Sequence, residues 1–269
     1  MGLQQVTLKA SGQDIAPVLQ LSLRSLVALI FVLIYGFYSK SLQFDKKQIG
    51  LGLFVGALFA AEFLFLGEAL RHTTASKSVV FLYTSPLFSA LLLHFLVAEE
   101  RLNPKQWLGM LLAFFGIAIA FLTKDDGNSS LFGDFLALMA GLSWGLTTVI
   151  IRKTALSTLP AKTMLCYQLI MVFILLMIYA IITGQSQMIF SPMAVASLAY
   201  QSIVVAFGIS MLWFWLLGRY RSADIGALVL MTPIFGVILS AILLNEMLTV
   251  PFIIGAMMVI LGLFAVVKR

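Results

Sequence analysis

Nine stretches of this 269-residue chain are each long and apolar enough to cross a lipid bilayer, at residues 17–38, 49–70, 75–98, 106–123, 135–151, 162–183, 194–217, 224–244 and 250–267. A spanning helix needs about 20 mostly apolar residues, because 1.5 Å of rise per residue must cover a hydrocarbon core of about 30 Å. Of all residues 61% are hydrophobic and only 10% charged, against about 25% charged in ordinary soluble domains. That is too little polar side chain to coat a soluble surface, so lipid must be the solvent. The expected fold is all-α, a polytopic membrane helix bundle. The connections, such as 39–47, 124–134 and 184–192, are short and polar. They force neighbouring helices to be antiparallel and leave no room for a soluble domain.

The net charge of +6 does not point to nucleic acid, since no basic run or aromatic-interleaved basic patch occurs. Counting Lys and Arg by loop parity puts twelve on one side (Lys40, Lys46, Lys47, Arg101, Lys105, Arg152, Lys153, Lys162, Arg219, Arg221, Lys268 and Arg269) and four on the other (Lys9, Arg71, Lys77 and Lys124). The excess marks the cytoplasmic side, which also holds the C-terminus. The expected location is a bacterial inner membrane. The N-terminus lacks a signal-peptide pattern, so the membrane helices themselves would direct insertion. The single cysteine, Cys166, lies in an apolar run and excludes an intrachain disulfide.

An internal repeat runs through the chain. Ser85-Pro86-Leu87-Phe88 matches Thr232-Pro233-Ile234-Phe235 at a spacing of 147, and Glu100, Leu102, Gly109 and Gly116 match Glu246, Leu248, Gly255 and Gly262 at 146. Gly2, Leu3, Val6 and Lys9 match Gly145, Leu146, Val149 and Arg152 at 143. The two halves are expected at residues 1–123 and 133–269, with five helices each. Five is odd, so the second half enters the membrane inverted, as in transporters whose substrate site lies near the midplane between halves. Asp134–Trp144 precedes Gly145, but only Met1 precedes Gly2. Residues 1–10 therefore read as the end of a first helix that is largely missing, giving nine full spans plus a remnant. A start codon assigned too late is the favoured explanation, and in-frame upstream codons for an apolar stretch would confirm it.

Several segments together resemble one family. They are Leu19–Ala28, the Ala-Leu-Arg-His-Thr-Thr-Ala-Ser turn within Glu62–Leu102, its Thr-Ser-Pro-Leu-Phe and Glu-Glu-Arg-Leu, and the echo in Arg219–Gly262 with Thr-Pro-Ile-Phe and Asn-Glu-Met-Leu-Thr. This ordered set resembles the drug/metabolite transporter superfamily, specifically its EamA-type members. The resemblance implies ten helices with both termini cytoplasmic, and transport of small metabolites, often amino acids or related solutes. The chain departs from the pattern in lacking most of the first helix.

Ionisable groups inside spans are costly and mark pathways. Arg24 lies seven residues into its span from the external side and Glu62 eight residues from the external end of the next, depths of about 10 and 12 Å at the helical rise. On sequential antiparallel helices they fall level, at a central cavity, as an ion pair or as substrate and proton groups; the alternative is a permanent salt bridge. Tyr83, Trp144 and Gln168, with Gln201 and Trp213, are candidates for lining the pathway, Gln168 standing near the repeat equivalent of Arg24. Pro86 and Pro233 fall mid-span in equivalent helices and read as paired bends. The small pairs Gly52/Gly56 and Gly141/Gly145 read as helix contacts. Glu68, Arg71, His72 and Lys77 are expected to snorkel to the external interface, with Arg219, Arg221 and Asp224 as cytoplasmic counterparts. His94, beside Glu99, reads as interfacial.

No Ser-His-Asp order, phosphate-cradling glycine loop, HExxH or His/Cys metal cluster is present in the sequence. The chain is expected not to be an enzyme and to need no cofactor or metal. The expected function is secondary active transport, in the export direction, of small metabolites by alternating access. The alternatives are a non-transporting or inactive membrane protein and an intramembrane lipid-modifying enzyme. Expected partners are a small-molecule substrate, with protons as a candidate coupling ion, the lipid bilayer, and a second copy in a homodimer, but no nucleic acid. An alkaline phosphatase fused after Arg269 is expected to be inactive while a cytoplasmic reporter there is active; the reverse would invert the topology.

Overall fold

Prolines and short polar side chains set where the helices start. The computed structural model describes residues 2–40, 42, 44–97, 101–122, 130–217 and 231–267, with the side chains of 213–215 and 217 left out of the description. Glu99, Glu100, Lys124, Arg219, Arg221, Asp224, Lys268 and Arg269 lie outside the described residues. The helices are α1 (Leu3–Ala10), α2 (Pro17–Tyr38), α3 (Ile49–His72), α4 (Ala75–Leu82), α5 (Ser85–Leu96), α6 (Pro104–Leu122), α7 (Leu131–Lys153), α8 (Ala161–Ile182), α9 (Pro192–Ala199), a π-helical stretch Tyr200–Ile209, α10 (Ser210–Leu217), α11 (Thr232–Leu244) and α12 (Val250–Val267). Pro17, Pro104 and Pro192 each sit in the first turn, where a missing N–H costs nothing. Ser130 and Ser191 accept from the N–H groups of Gly133 and Ala194 at 3.1 and 3.0 Å. Asn103 and Gln106 exchange backbone-to-side-chain bonds of 2.9 and 3.0 Å at the start of α6, the reciprocal box that satisfies two orphan donors.

Among the described residues there is no β-strand, only an isolated bridge between Ile15 and Met188. Eight helical segments are long and apolar enough to cross a membrane, and Thr232–Leu244 is a shorter apolar helix. Large apolar side chains such as Phe37, Leu108, Phe115 and Ile182 are exposed, as a lipid-facing surface requires. The expected span 224–244 is described only from residue 231. Helix α7 begins at Leu131, earlier than the apolar pattern suggests. The span 75–98 is two helices, interrupted at Tyr83-Thr84. Pro86 occupies the first turn of α5 and cannot donate to the Leu82 carbonyl, so Pro86 opens a new helix instead of bending a continuous one. The Thr84 hydroxyl donates to the Phe81 carbonyl at 2.6 Å. Pro233 likewise stands in the first turn of α11.

Helix α7 reaches this break because of its glycines. A Cβ at Gly141 would lie 2.6 Å from the Phe81 oxygen, and one at Gly145 would lie 2.9 Å from the Phe88 Cβ. Helices α6 and α12 pack along their length by the same device. A Cβ at Gly109 would meet the Gly262 oxygen at 3.0 Å and one at Gly116 the Gly255 oxygen at 2.6 Å. The contacts are reciprocal, with Gly262 against the Gly109 oxygen at 2.5 Å and Gly255 against the Gly116 oxygen at 2.7 Å.

Lys77 does not snorkel. It is 1% exposed, and its ammonium pairs with Asp134 of α7 at 3.1 Å. Asp134, expected at a loop end, lies in the first turn of α7, where a carboxylate also complements the helix dipole. The Thr73 hydroxyl donates to the same carboxylate. Nearby, Glu246 accepts from the backbone N–H groups of Ala75 and Ser76 at 2.6 and 3.0 Å and from the Ser76 hydroxyl. Lys9 of α1 donates to the Leu70 and Thr73 carbonyls at the end of α3. The remaining members of the expected interfacial cluster stay accessible: Arg71 and His72 are exposed, and Arg71 pairs with Glu68 at 2.9 Å. Breaking a buried pair by removing one partner costs about 3–5 kcal/mol, while replacing both by apolar residues restores much of it. Lys77→Met is therefore expected to lower the unfolding temperature of detergent-solubilised protein in a fluorescence size-exclusion assay, and Lys77→Met with Asp134→Leu to recover most of the loss.

Candidate functional site

Arg24 and Glu62 meet at one cavity of about 160 Å³. Arg24 comes from α2 and Glu62 from α3, and each is only 4% exposed. The cavity is also lined by Gln4 and Gln5 of α1, by Phe59 and Phe63, and by Tyr83 and Trp144. Tyr83 stands at the interruption between α4 and α5, and Trp144 projects from α7, which the close contact at Gly141 and Gly145 brings against that interruption. The Tyr83 and Trp144 rings meet edge to face at 5.6 Å, and the Tyr83 hydroxyl is hydrogen-bonded to the Thr232 side chain.

The two charges are incompletely satisfied. One Arg24 Nη donates to the Gln201 Oε1 at 2.9 Å, and the guanidinium carbon lies 4.5 Å from the centroid of the Phe63 ring. Arg24 Nε and Glu62 Oε2 are buried without a hydrogen-bond partner among the described residues. No salt bridge of 4.0 Å or less joins Arg24 to Glu62 among the described residues. The permanent staple raised as an alternative from the sequence is thus not formed in this conformation. A guanidinium has five donors and a carboxylate about four acceptor positions, so most of their capacity is left to whatever fills the cavity. A buried polar group left unpaired costs about 1–3 kcal/mol, which is an incentive to bind a solute carrying complementary groups.

Not every expected residue is here. Helix α8 turns Leu165 and Leu169 to the cavity, while Gln168 is half-buried and is not among its lining residues. Pro86 lines a different cavity of about 450 Å³, with Arg101, Gln106 and Arg152. The side chain of Trp213 lies outside the description. Gln201 does not line the cavity but is fully buried behind Arg24. Gln4, Gln5 and Ser210 line it without having been singled out from the sequence. A single amide or hydroxyl on an apolar helix has no periodic signature, and only the placement of its helix turns it inward.

The sequence profile of the EamA-like transporter family matches residues 1–122 and 131–268. The chain is similar to the uncharacterized transporter YoaV of Bacillus subtilis (strain 168), at 24% identity over 98% of this chain and 91% of that one. It is also similar to a probable amino-acid metabolite efflux pump of Escherichia coli (strain K12), at 27% identity over 98% and 89%. A crystal structure shares its fold with a TM-score of 0.68 at 19% identity, covering 97% of this chain and 90% of that one.

Proposed function

The chain belongs to the EamA-like transporter family, and from that premise we propose that it moves a small zwitterionic, partly apolar metabolite across the inner membrane as a secondary active exporter. The observation that carries this reading is the pairing, in one cavity, of a cation and an anion whose hydrogen-bonding capacity is largely unfilled, walled by aromatic rings. Arg24 would take a carboxylate and Glu62 an ammonium, with the apolar part of the solute against Phe59, Phe63, Tyr83 and Trp144. At about 160 Å³ the cavity is below the range of about 300–1,000 Å³ usual for drug-sized ligands. That size favours an amino acid or a related solute over a larger drug. The name of the Escherichia coli relative, an amino-acid metabolite efflux pump, agrees with this class.

The mechanism follows from two inverted halves, residues 1–123 and 133–269. The repeat pairs Gly109 with Gly255 and Gly116 with Gly262. A twofold axis between α6 and α12 would then turn the Gly109–Gly262 contact into a Gly255–Gly116 contact, and both contacts occur. Alternating access is a rocking of these halves about the shared cavity, with the C-terminus in the cytoplasm. Glu62 is the group that would exchange a proton as the solute enters and leaves, since its Oε2 is buried at the cavity with no hydrogen-bond partner among the described residues and ionisable groups inside spans mark proton relays.

Counterflow of radiolabelled L-leucine and L-phenylalanine into proteoliposomes tests the reading. The wild type is expected to accumulate label, faster under an imposed pH gradient. Arg24→Gln is expected to fall at least about tenfold, the loss of a charge-assisted hydrogen bond of about 1.5–3 kcal/mol. Glu62→Gln is expected to lose the response to the gradient; wild-type rates with an unchanged response would remove the proton role.

A further inference from the structure

Resting on the transport reading of Arg24, we propose that Gln201 is a positioning residue that holds the Arg24 guanidinium toward the cavity and thereby sets selectivity for carboxylate-bearing solutes. Gln201 is 0% exposed and makes three hydrogen bonds. Its Oε1 accepts from Arg24 at 2.9 Å, and its amide nitrogen donates to the Gln4 carbonyl at 2.8 Å and the Thr7 hydroxyl at 2.7 Å. The Thr7 hydroxyl in turn donates to the Gln4 carbonyl at 2.9 Å. These partners fix the orientation of the amide. Flipped, it would turn donors toward the guanidinium and its oxygen toward the Gln4 carbonyl.

The chemistry of an amide matters at this position. A carboxylate here would grip Arg24 but neutralise it, leaving little for an incoming anion, and would set its second oxygen against the Gln4 carbonyl. A neutral acceptor occupies one of five donors and leaves the charge in place. Phe63, with its ring 4.5 Å from the guanidinium carbon, adds a second contact of the same kind, attractive to the cation without cancelling it. Helix α1 gains a role in this arrangement, since its Gln4 and Thr7 hold the amide that holds Arg24.

A second polar rung lies one turn away on the same two helices. The Gln20 amide donates to the Ser197 hydroxyl, and the Ser11 hydroxyl donates to the Gln20 Oε1 at 2.8 Å. Gln20 precedes Arg24 by four residues, as Ser197 precedes Gln201. This rung ties α2 to the last turn of α9 without touching a charge, and it provides the control that separates positioning from general cohesion.

The test measures transport of L-leucine and of its carboxamide, L-leucinamide, in proteoliposomes. The wild type is expected to prefer leucine. Gln201→Leu is expected to raise KM for leucine about tenfold with the maximal rate retained, and to reduce the preference over leucinamide by the same factor. Gln201→Glu, which keeps a polar acceptor beside Arg24 and guards against misfolding of the leucine variant, is expected to raise KM as well. Gln20→Leu is expected to keep the wild-type preference. A wild-type KM in Gln201→Glu, or an unchanged preference in Gln201→Leu where Arg24→Gln loses it, overturns the positioning role and leaves the transport reading standing. A preference that survives in Arg24→Gln, or is absent from the wild type, overturns both.

Discussion

A charge inside an apolar helix bundle has to find compensation within the protein, because no water is at hand to supply it. The chain meets this constraint in two ways. Lys77, Asp134 and Thr73 form a closed group, buried and mutually satisfied, where α3, α4 and α7 converge. Arg24 and Glu62 are buried to a similar degree but are left partly unsatisfied around a cavity. The first arrangement holds helices together. The second leaves hydrogen-bonding capacity open at the cavity.

The architecture places the open pair. At the interruption of a span at Tyr83-Thr84 the buried Tyr83 ring lies beside the cavity and meets Trp144 edge to face. Glycines on α7 let that helix approach the interruption closely enough for Trp144 to face Tyr83. Irregular backbone at such depth is tolerable only where protein covers it or a cavity adjoins it. Here both conditions hold, with the Thr84 hydroxyl satisfying the Phe81 carbonyl and the cavity alongside.

Much of this was legible in the amino-acid order, and the reasons for success and failure are physical. Apolar length located the helices, since lipid allows few other solutions. Helical rise placed Arg24 and Glu62 level, and they share a cavity. Pro86, read as a bend, stands in the first turn of a restarted helix, because a proline alone does not say whether a helix bends or restarts; Pro233 stands in the first turn of α11, and what precedes residue 231 lies outside the described residues. Lys77 was misread because its partner lies 57 residues away and because the start of α7 extends beyond its apolar pattern. Gln201 stood out as an amide in an apolar span, but nothing local shows that it faces Arg24, 177 residues away, and not the cavity. Gln168 drew attention through its match to Arg24 in the repeat, yet α8 turns Leu165 and Leu169 to the cavity instead.

The π-helical stretch Tyr200–Ile209 makes the register of this span a matter of chain length. In a π turn each N–H reaches back five residues instead of four, so the turn holds an extra residue; Val205, Ala206 and Ser210, from this stretch and its end, line the cavity. Losing one residue from such a turn would tighten it toward an ordinary helix and absorb the deletion, where the same loss from an ordinary helix would swing everything beyond it by about 100°. The anchored end, where Ser197 and Gln201 grip α1 and α2, would stay in place. A one-codon deletion inside the stretch would thus be taken up with the polar anchor untouched, whereas one in the ordinary helix beyond it would turn a different face to the cavity.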